Sequence, residues 1–308
     1  MAAADPRPLA VFLDALSLGP VDLAPLEVHC RLRCWPVTRP DQCLERLQGA
    51  TVAITNKVRL EGEVLEQLPQ LRLVCTASTG TDQVDVATCR RLGIPVQNAG
   101  AYSRPSVVQV TWSLILALRG RLDERLQQWR SGAWAASPVF ALVEPEFDEL
   151  AGQTLTVLGA GSIGGGVAAV GEALGMRCLR LTSRSSAAEL EQGLRQADVL
   201  SLHAPLTAAT RGLLDRRRLG WLRPSALLVN TARGALVDTE ALVEALGAGR
   251  LAGAALDVLP EEPPTAATLD ALQAVPNLLV TPHMAWTSRQ ARQRLVHTLA
   301  GHLAVLAR

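Results

Sequence analysis

Short aliphatic runs recur along the chain, separated by longer segments in which apolar residues repeat every three or four positions. Such runs are typical of buried strands, and the longer segments are typical of amphipathic helices. The predicted strands lie at 9–14, 51–56, 72–77, 94–98, 154–159, 177–182, 198–203, 226–230, 253–258 and 278–282. Strands that alternate with helices predict parallel sheets covered by helices, which is an α/β fold.

The predicted elements form two series, which indicates two open, doubly wound parallel-sheet domains. A length of 308 residues favours this division, because one hydrophobic core rarely serves so long a chain. The break is expected near 98–104, where the sequence NAGAYSRP is typical of a turn. An irregular connection is expected at 131–152. The final segment predicts an amphipathic helix that could pack back onto the first domain, with one face formed by Leu295, Leu299, Leu303 and Leu306.

Composition indicates a globular protein and excludes several classes of function. Apolar residues make up 48% of the chain and charged residues 19%, and 30 basic residues balance 29 acidic ones, so no nucleic-acid surface is predicted. The N-terminal sequence does not resemble a signal peptide, and the apolar helix 106–118 is too short for a membrane span. The six cysteines form no CxxC pair, and no metal-ligand spacing occurs. We therefore expect a soluble, cytoplasmic protein with reduced thiols, no metal and no membrane or nucleic-acid partner.

A glycine-rich turn follows the predicted strand 154–159 and opens a helix, in the sequence LTVLGAGSIGGGVAAV. Gly159 permits the tight turn, Gly161 lets backbone amides approach a pyrophosphate, and Gly164 allows the helix to pack closely on the strand. The N-terminus of the helix attracts the phosphates. The motif alone is weak evidence, but its position between a strand and a helix predicts a dinucleotide site.

The end of the next predicted strand indicates which dinucleotide is bound. Domains that bind NAD have an acidic residue there for the ribose hydroxyls, whereas this chain has Thr182 and no acidic residue close by. Ser183, Arg184 and Ser185 follow at once, and an arginine with two hydroxyls can bind a 2′-phosphate. We therefore predict a preference for NADP over NAD. The alternative is that the acid was lost without a change of cofactor and that Arg184 only extends into water.

Three side chains that can donate a proton, orient a proton donor or bind an anion follow predicted strands of the second series. Arg233 lies in VNTARG, Glu262 in ALDVLPEEPP and His283 in VTPHMAW. Because ligands of doubly wound sheets bind beyond the carboxyl ends of the strands, these residues are expected to converge. An imidazolium can protonate a carbonyl that receives hydride, a carboxylate can orient the ring, and an arginine can bind a substrate carboxylate. The predicted chemistry is reduction of a 2-keto acid, and the alternative is a histidine that merely fills the core.

The segments GAGSIGGGV, VNTARGALVD, AGAALDVLPEEPP and LLVTPHMAW, in this order and spacing, resemble the D-isomer-specific 2-hydroxyacid dehydrogenase family. The resemblance runs from about Val52 to the C-terminus and is closest to the glycerate dehydrogenase and glyoxylate/hydroxypyruvate reductase branch. It implies a Rossmann cofactor domain, 101–284, inserted into a discontinuous flavodoxin-like substrate domain, 1–100 and 285–308. It also implies a homodimer formed through the cofactor domain, with the helix 106–118 as a candidate for the interface.

The resemblance assigns roles to individual residues. The catalytic set that it implies is Arg233, Glu262 and His283. The substrate-binding residues that it implies, three of them from the loop TASTGTDQVD, are Ser78, Thr79, Gly80, Arg233 and Trp286. Besides the three glycines and the segment 183–185, the cofactor contacts that it implies are Ser162, Ile163, Pro205, Thr231, Ala232 and Asp257.

The sequence departs from the family's pattern at Ser162, where many members have arginine, and at Gln109, where glutamate is common. Lys57 is a candidate for the mouth of the substrate site, with a solvated loop lysine as the alternative. The implied activity is NAD(P)H-dependent reduction of hydroxypyruvate or glyoxylate to the D-2-hydroxy acid, with His283 as proton donor. Two alternatives stay open: a catalytically weak cofactor-sensing protein that recruits partners, and a phosphoglycerate dehydrogenase-like enzyme.

Overall fold

A computed structural model describes residues 5–306 of the chain. These residues form two compact units. The first contains the chain up to Ser103 and again from Trp286 onward, and the second is Arg104–Ala285. The domain boundaries predicted from the sequence, after 100 and before 285, lie close to these limits.

Every predicted strand is found, with ends that move by no more than two residues. One strand, β2, is present without having been predicted. The strands of the described residues are β1 (Leu9–Phe12), β2 (Arg31–Cys34), β3 (Val52–Thr55), β4 (Leu73–Thr76), β5 (Val96–Asn98), β6 (Thr154–Leu158), β7 (Arg177–Leu181), β8 (Val199–Leu202), β9 (Leu227–Asn230), β10 (Gly253–Leu256) and β11 (Leu278–Val280).

Helices connect most of these strands. They are α1 (Ala24–Glu27), α2 (Cys43–Leu47), α3 (Gly62–Glu66), α4 (Val86–Arg91), α5 (Arg104–Arg119), α6 (Leu122–Arg130), α7 (Ser162–Ala173), α8 (Ala187–Gln196), α9 (Arg216–Leu219), α10 (Thr239–Gly247), α11 (Ala266–Gln273) and α12 (Arg289–Leu306). Short 3₁₀ turns occur at Ala15–Leu18, Pro40–Gln42 and Gly234–Leu236. Across residues 5–306, none of these helices combines the length and the apolar character that crossing a membrane requires.

The first unit is built on a five-stranded parallel sheet in the order β2-β1-β3-β4-β5, which is the flavodoxin-like order. Successive residues of β1 enter opposite cores: Ala10 and Phe12 belong to one and Val11 to the other, because strand side chains alternate between the two faces. Helix α12 covers the first of these faces with the fully buried Leu295, Leu299 and Leu303. The last helix therefore completes the first unit.

The second unit has a six-stranded parallel sheet in the order β11-β10-β9-β8-β6-β7. Trp112 of α5 and Val167 of α7 pack on one face, and Leu194 of α8 and Leu242 of α10 pack on the other. The strand order reverses between β6 and β8, so the crevice of this doubly wound sheet lies beyond the ends of these two strands. The described residues contain no strand outside β7, where the longer order 3-2-1-4-5-6 has one.

The connection between α6 and β6, residues 131–153, contains neither helix nor strand, as predicted. Large apolar side chains are exposed along it and along α6. Phe140 is 92% exposed and Val143 76%, values that a side chain of the protein interior does not show. We call this set the apolar strip; its members are Trp129, Trp134, Val139, Phe140, Val143 and Phe147.

Candidate active site

Three neighbouring strands of the second unit end at the same level. In the parallel register Leu256 of β10 pairs with Asn230 of β9 on one side and with Val280 of β11 on the other. The segments that follow these strands therefore leave the sheet together, at the carboxyl edge where ligands of doubly wound sheets bind. The segments that carry the predicted arginine, glutamate and histidine are thereby brought to one place.

Asp257, directly after β10, organises the segment that carries His283. Its carboxylate accepts hydrogen bonds from Thr281 Oγ1 at 2.6 Å and from the amides of Met284 and Ala285 at 2.9 Å, and its carbonyl accepts one from the amide of His283 at 2.8 Å. Burial raises the pKa of the Asp257 carboxyl, although the three donors act against this. The predicted cofactor contact of Asp257 stays a prediction, since these bonds describe a positioning role.

His283 is paired with Glu262 at the edge of this cluster. Its Nδ1 lies 2.6 Å from Oε2 of Glu262, while Oε1 of the same carboxylate accepts from the amide of Leu259 at 2.9 Å. The side chains are 23% and 29% exposed, so this histidine does not fill the core and that alternative is wrong. With Nδ1 donating to the carboxylate, Nε2 is the ring nitrogen that can reach a ligand.

Arg233 follows β9 in a turn shaped by two neighbours. The buried Asn230 donates from Nδ2 to the carbonyl of Arg233 at 2.8 Å. A Cβ on Gly234 would lie only 2.0 Å from the carbonyl carbon of Leu259, so the turn packs directly on the backbone that leads to Glu262. Only glycine permits this contact. The half-buried arginine and the His283–Glu262 pair therefore sit on segments in van der Waals contact.

Thr231 and Ala232, the predicted backbone contacts on the nicotinamide side, have partners within the chain. Thr231 Oγ1 lies 2.9 Å from Oγ1 of Thr111, a residue of α5 that the sequence did not single out. The amide of Ala232 donates to Asn230 Oδ1 at 3.0 Å, and its carbonyl accepts from Arg233 at 2.8 Å. Their contact to a cofactor stays a prediction. Thr111 carries no sequence signal, because its role depends on how α5 packs on the sheet.

The glycine turn after β6 forms an open cradle at the N-terminus of α7. Gly159 has φ 95°, and a Cβ there would lie 2.5 Å from the amide nitrogen of Ala204, in the turn after β8. A Cβ on Gly164 would lie 2.3 Å from the carbonyl oxygen of Gly159. At Gly161 a Cβ would meet nothing within 4 Å. The residues that need close packing are thus glycines, and the face at the helix N-terminus is open, which fits a dinucleotide diphosphate.

Beside this cradle, the turn after β8 carries His203 and Pro205. His203 Nε2 lies 2.8 Å from Ser201 Oγ, and burial lowers the pKa of His203 to about 4. Pro205 is exposed, and its carbonyl accepts a hydrogen bond from Thr210 Oγ1 at 2.6 Å. The neutral histidine supports the turn, and the exposed proline lies at the open edge, where a cofactor contact was predicted.

The turn after β7 presents an exposed guanidinium, that of Arg184. The amide of Thr182 donates to Ser185 Oγ at 3.1 Å, and the amide of Arg184 donates to Thr182 Oγ1 at 3.2 Å. These bonds fix the turn, while the side chains of Ser183 and Arg184 extend from it, exposed. Within residues 5–306 no carboxylate pairs with Arg184. The turn can therefore accept an anionic group without breaking an existing ion pair.

In the first unit, the predicted carboxylate loop follows β4 and is held by its own hydrogen bonds. Ser78 Oγ donates to the carbonyl of Gly80 at 2.7 Å and accepts from Gln83 at 3.0 Å. Thr79 Oγ1 donates to the carbonyl of Gly100 at 2.8 Å. No hydrogen bond within the described part of the chain uses the amides of Thr79 and Gly80. The loop thus has a fixed shape, and its two amides are available to donate hydrogen bonds to a carboxylate.

Trp286 also belongs to the first unit. It is half-buried, and its ring packs edge-to-face on Tyr102 with centroids 6.3 Å apart and an angle of 71°. The carbonyl of Tyr102 accepts from Arg294 of α12 at 2.9 Å. The indole therefore has a fixed position, and its predicted contact with substrate stays a prediction.

Asp14 is a buried residue of the first unit that sequence analysis missed. Its carboxylate accepts from the amides of Asn56 at 2.9 Å and Lys57 at 2.7 Å, and burial raises the pKa of this carboxyl. It shapes the turn that follows β3 and presents the exposed Lys57. The available signal was the aspartate that ends the segment LAVFLD, directly after five apolar residues.

Comparisons with known proteins agree with this geometry. Residues 112–285 match the family model described as D-isomer specific 2-hydroxyacid dehydrogenase, NAD binding domain. The chain is 39% identical over 266 residues to a glycerate dehydrogenase of Methylorubrum extorquens, covering 86% of this chain and 85% of the relative. It is 39% identical over 265 residues to a glyoxylate reductase of Aeropyrum pernix, covering 81% of this chain and 77% of the relative.

Solved structures show the same architecture. The crystal structure of the TT0316 protein from Thermus thermophilus matches with a TM-score of 0.84 and 34% identity, covering 96% of each chain. The family model spans more than half of the chain, and both relatives exceed 30% identity over most of it. The protein is therefore an oxidoreductase with a nicotinamide cofactor and belongs to the D-isomer-specific 2-hydroxyacid dehydrogenase family.

Proposed function

We propose that the protein reduces a short 2-keto acid, hydroxypyruvate or glyoxylate, to the D-2-hydroxy acid with His283 as proton donor. The observation that carries this proposal is the 2.6 Å pairing of His283 Nδ1 with Glu262, at the strand ends that also carry Arg233. Relatives named glycerate dehydrogenase and glyoxylate reductase support the substrate class, since both act on short acids of this type.

The chemistry divides between cofactor and protein. The reduced nicotinamide supplies the hydride. Glu262 holds Nδ1 of the ring, so Nε2 is the position from which His283 delivers a proton to the carbonyl oxygen. Arg233 offers a planar pair of donors to the substrate's carboxylate or carbonyl oxygens. Within the first unit, the proposed substrate-binding residues are Trp286 and the loop 78–80, whose backbone amides are suitable donors to a carboxylate.

The decisive test is turnover by the purified protein. We expect oxidation of NADPH or NADH, followed by absorbance, with hydroxypyruvate and glyoxylate, and weaker oxidation with longer 2-keto acids or with 3-phosphohydroxypyruvate. Cofactor binding without turnover of any of these acids would contradict the proposal and favour a cofactor-sensing, partner-binding role. Preference for the phosphorylated acid would favour the phosphoglycerate dehydrogenase alternative.

We also propose that NADP is preferred over NAD. The exposed Arg184, which has no carboxylate partner in the described residues, lies with Ser183 and Ser185 in the turn where an acidic residue would repel a 2′-phosphate. Arg184→Ala should raise KM for NADPH about tenfold and leave KM for NADH within about twofold. An equal effect on both cofactors, or a wild-type preference for NADH, would refute the assignment.

We propose a homodimer that buries the apolar strip. Side chains as exposed as Phe140 and Val143 recur between residues 129 and 147 of the second unit, and a twofold contact with a second copy would remove this apolar surface from water. Phe140→Asp with Val143→Asp should give monomers by light scattering, while Val305→Asp, an equally exposed site on α12, should not. A monomeric wild-type protein would refute this.

A reducing compartment, the cytoplasm, is the proposed location. All six cysteines are free, and four of them are buried: Cys30, Cys43, Cys75 and Cys89. Free buried thiols are typical of proteins kept under reducing conditions. Titration of the denatured protein, purified without reductant, should detect all six thiols, and a smaller number would contradict the proposal.

A further inference from the structure

The helix that opens the cofactor cradle carries no positive side chain near its N-terminus. Its first turns read SIGGG, and the sequence has no lysine or arginine anywhere between Arg130 and Arg177. A dinucleotide diphosphate carries two negative charges, whereas a helix N-terminus supplies the equivalent of about half a positive charge. A cation from another element would therefore strengthen the attraction of this site for the diphosphate.

Helix α5 lies parallel to α7 and brings a cation to that end. Trp112 Cζ2 of α5 lies 3.3 Å from the position that a Cβ on Gly171 would occupy, and one turn earlier Val108 Cγ2 lies 2.8 Å from the position of a Cβ on Gly166. One further turn toward the start of α5 is Arg104, the first residue of that helix. By this register Arg104 lies at the level of the first turn of α7.

The side chain of Arg104 lies along the glycine face of α7. Its Nε and Nη2 are 3.4 and 3.8 Å from the position that a Cβ on Gly166 would occupy, and at Gly165 a Cβ would meet nothing. Four residues of helix separate Gly166 from Ser162, about 6 Å along the axis. A guanidinium in contact with Gly166 can therefore reach the helix N-terminus by a change of side-chain torsion alone.

The guanidinium of Arg104 is unpaired among the residues that the structure describes. Arg104 is exposed, and no hydrogen bond or ion pair in residues 5–306 involves its guanidinium. Several other arginines of the second unit have carboxylate partners, for example Arg180 with Glu172 and Arg195 with Glu191. An arginine that lies against a helix next to an anion cradle, yet pairs with no carboxylate, is free to bind an anion.

We propose that Arg104 binds the diphosphate of the cofactor and so replaces a cation that α7 lacks. The assignment rests on the dinucleotide site and not on the identity of the keto acid. It differs from the role proposed for Arg184, because the diphosphate is common to NADH and NADPH whereas the 2′-phosphate is not. Arg104 therefore sets the affinity for both cofactors and leaves the choice between them unchanged.

The test is equilibrium binding of NADH, NADPH and ADP-ribose, followed by quenching of tryptophan fluorescence, without any substrate. Arg104→Ala should raise all three Kd values about tenfold, with the NADH to NADPH ratio unchanged within about twofold and a shallower dependence of Kd on salt. Arg104→Lys should recover part of the affinity. The matched control is Arg250→Ala, an exposed arginine before β10, which should bind as the wild type does.

A second variant tests the position of the charge. Ser162 is exposed at the start of α7, so Ser162→Arg in the Arg104→Ala background returns a guanidinium to the same turn and should recover at least half of the lost affinity on a logarithmic scale. Unchanged Kd values in Arg104→Ala, a loss confined to NADPH, or no recovery with Ser162→Arg would overturn the assignment. A wild-type protein that binds neither nucleotide would overturn the proposed activity as well, whereas binding without keto-acid turnover would refute only that activity.

Discussion

Two carboxylates act on His283 in different ways. Glu262 holds the ring by its hydrogen bond to Nδ1, whereas Asp257 holds the backbone that carries the ring. That backbone has φ 51°, a left-handed conformation that costs a residue other than glycine on the order of 1 kcal/mol. The bonds from Met284 and Ala285 to the buried carboxylate offset this cost. The direction of the imidazole is thus set by two side chains from a neighbouring segment.

Replacing His283 by asparagine is expected to lower kcat by about 10²- to 10⁴-fold, since a general acid typically contributes this much. The Kd of NADPH should change by less than about threefold, because the substitution removes a proton donor and leaves the glycine cradle intact. Glu262→Gln keeps a hydrogen-bond acceptor but loses its charge, and an intermediate loss of kcat is expected. Steady-state kinetics and fluorescence titration on the same samples measure both quantities.

The control for these variants is His297→Asn on α12, an exposed histidine. It should leave kcat and Kd unchanged. Near-normal kcat in His283→Asn would show that another group supplies the proton. A rise in the Kd of NADPH as large as the fall in kcat would instead show that the ring supports the cofactor site.

Sequence patterns identified the candidate catalytic residues but not the hydrogen bonds and packing contacts that position them. Arg233, Glu262 and His283 could be found because each follows an aliphatic run, and such runs end at one edge of a parallel sheet. The role of Asp257 as a clamp on 281–285 depends on the register between β10 and β11, which no local pattern specifies. The position of Arg104 against Gly166 depends in the same way on the packing of two helices far apart in sequence.

At the scale of elements, helix α7 shows how one glycine decides the packing of helix on strand. A Cβ on Gly164 would lie 2.3 Å from a backbone oxygen of Gly159 and 2.9 Å from Val157 Cγ1. The first neighbour belongs to a turn of φ 95° and has no freedom to move aside. Its neighbour Gly165 faces open space. Of these two adjacent glycines, Gly164 therefore has no room for a side chain, whereas Gly165 has room for one.

Gly164→Ala is therefore expected to destabilise the protein by about 1–3 kcal/mol, the usual cost of overpacking a core. Gly165→Ala, the matched control, should stabilise it by up to about 1 kcal/mol, since alanine is the better helix former and has room here. Urea unfolding of both variants without cofactor measures the difference. Equal effects of the two substitutions would contradict the packing described.

Element prediction succeeded where strands are buried on both faces and failed at an edge. Central strands such as β3 and β4 are fully buried and read as unbroken aliphatic runs. β2, with the sequence RLRC, pairs only with β1 and is largely exposed. Because two of its four residues are arginines, it does not form an apolar run and was not predicted. Its position at the edge, visible only in the fold, explains why it was missed.

At the scale of the whole molecule, acid stability depends on buried groups whose pKa differs between the folded and the unfolded chain. Burial lowers the pKa of His203 from 6.5 to about 4, so below pH 6.5 the unfolded chain binds a proton that the folded chain does not. Stability is therefore lost as the pH falls from 6.5 toward 4. The buried Asp14 and Asp257 have raised pKa values and act in the opposite direction, because the folded state holds their protons more tightly.

For His203 this loss amounts to about 2 kcal/mol between pH 7 and pH 5, from a shift of this size at about 1.4 kcal/mol per pH unit. His203→Gln keeps a hydrogen-bonding group for Ser201 and cannot be protonated, so its unfolding free energy should fall less over the same range, by about that amount. Urea unfolding at the two pH values measures the difference, with His297→Gln as the control. If the stability of the variant falls as steeply as that of the wild type, burial does not lower the pKa of His203. The proposal that a neutral His203 supports the turn after β8 would then be refuted.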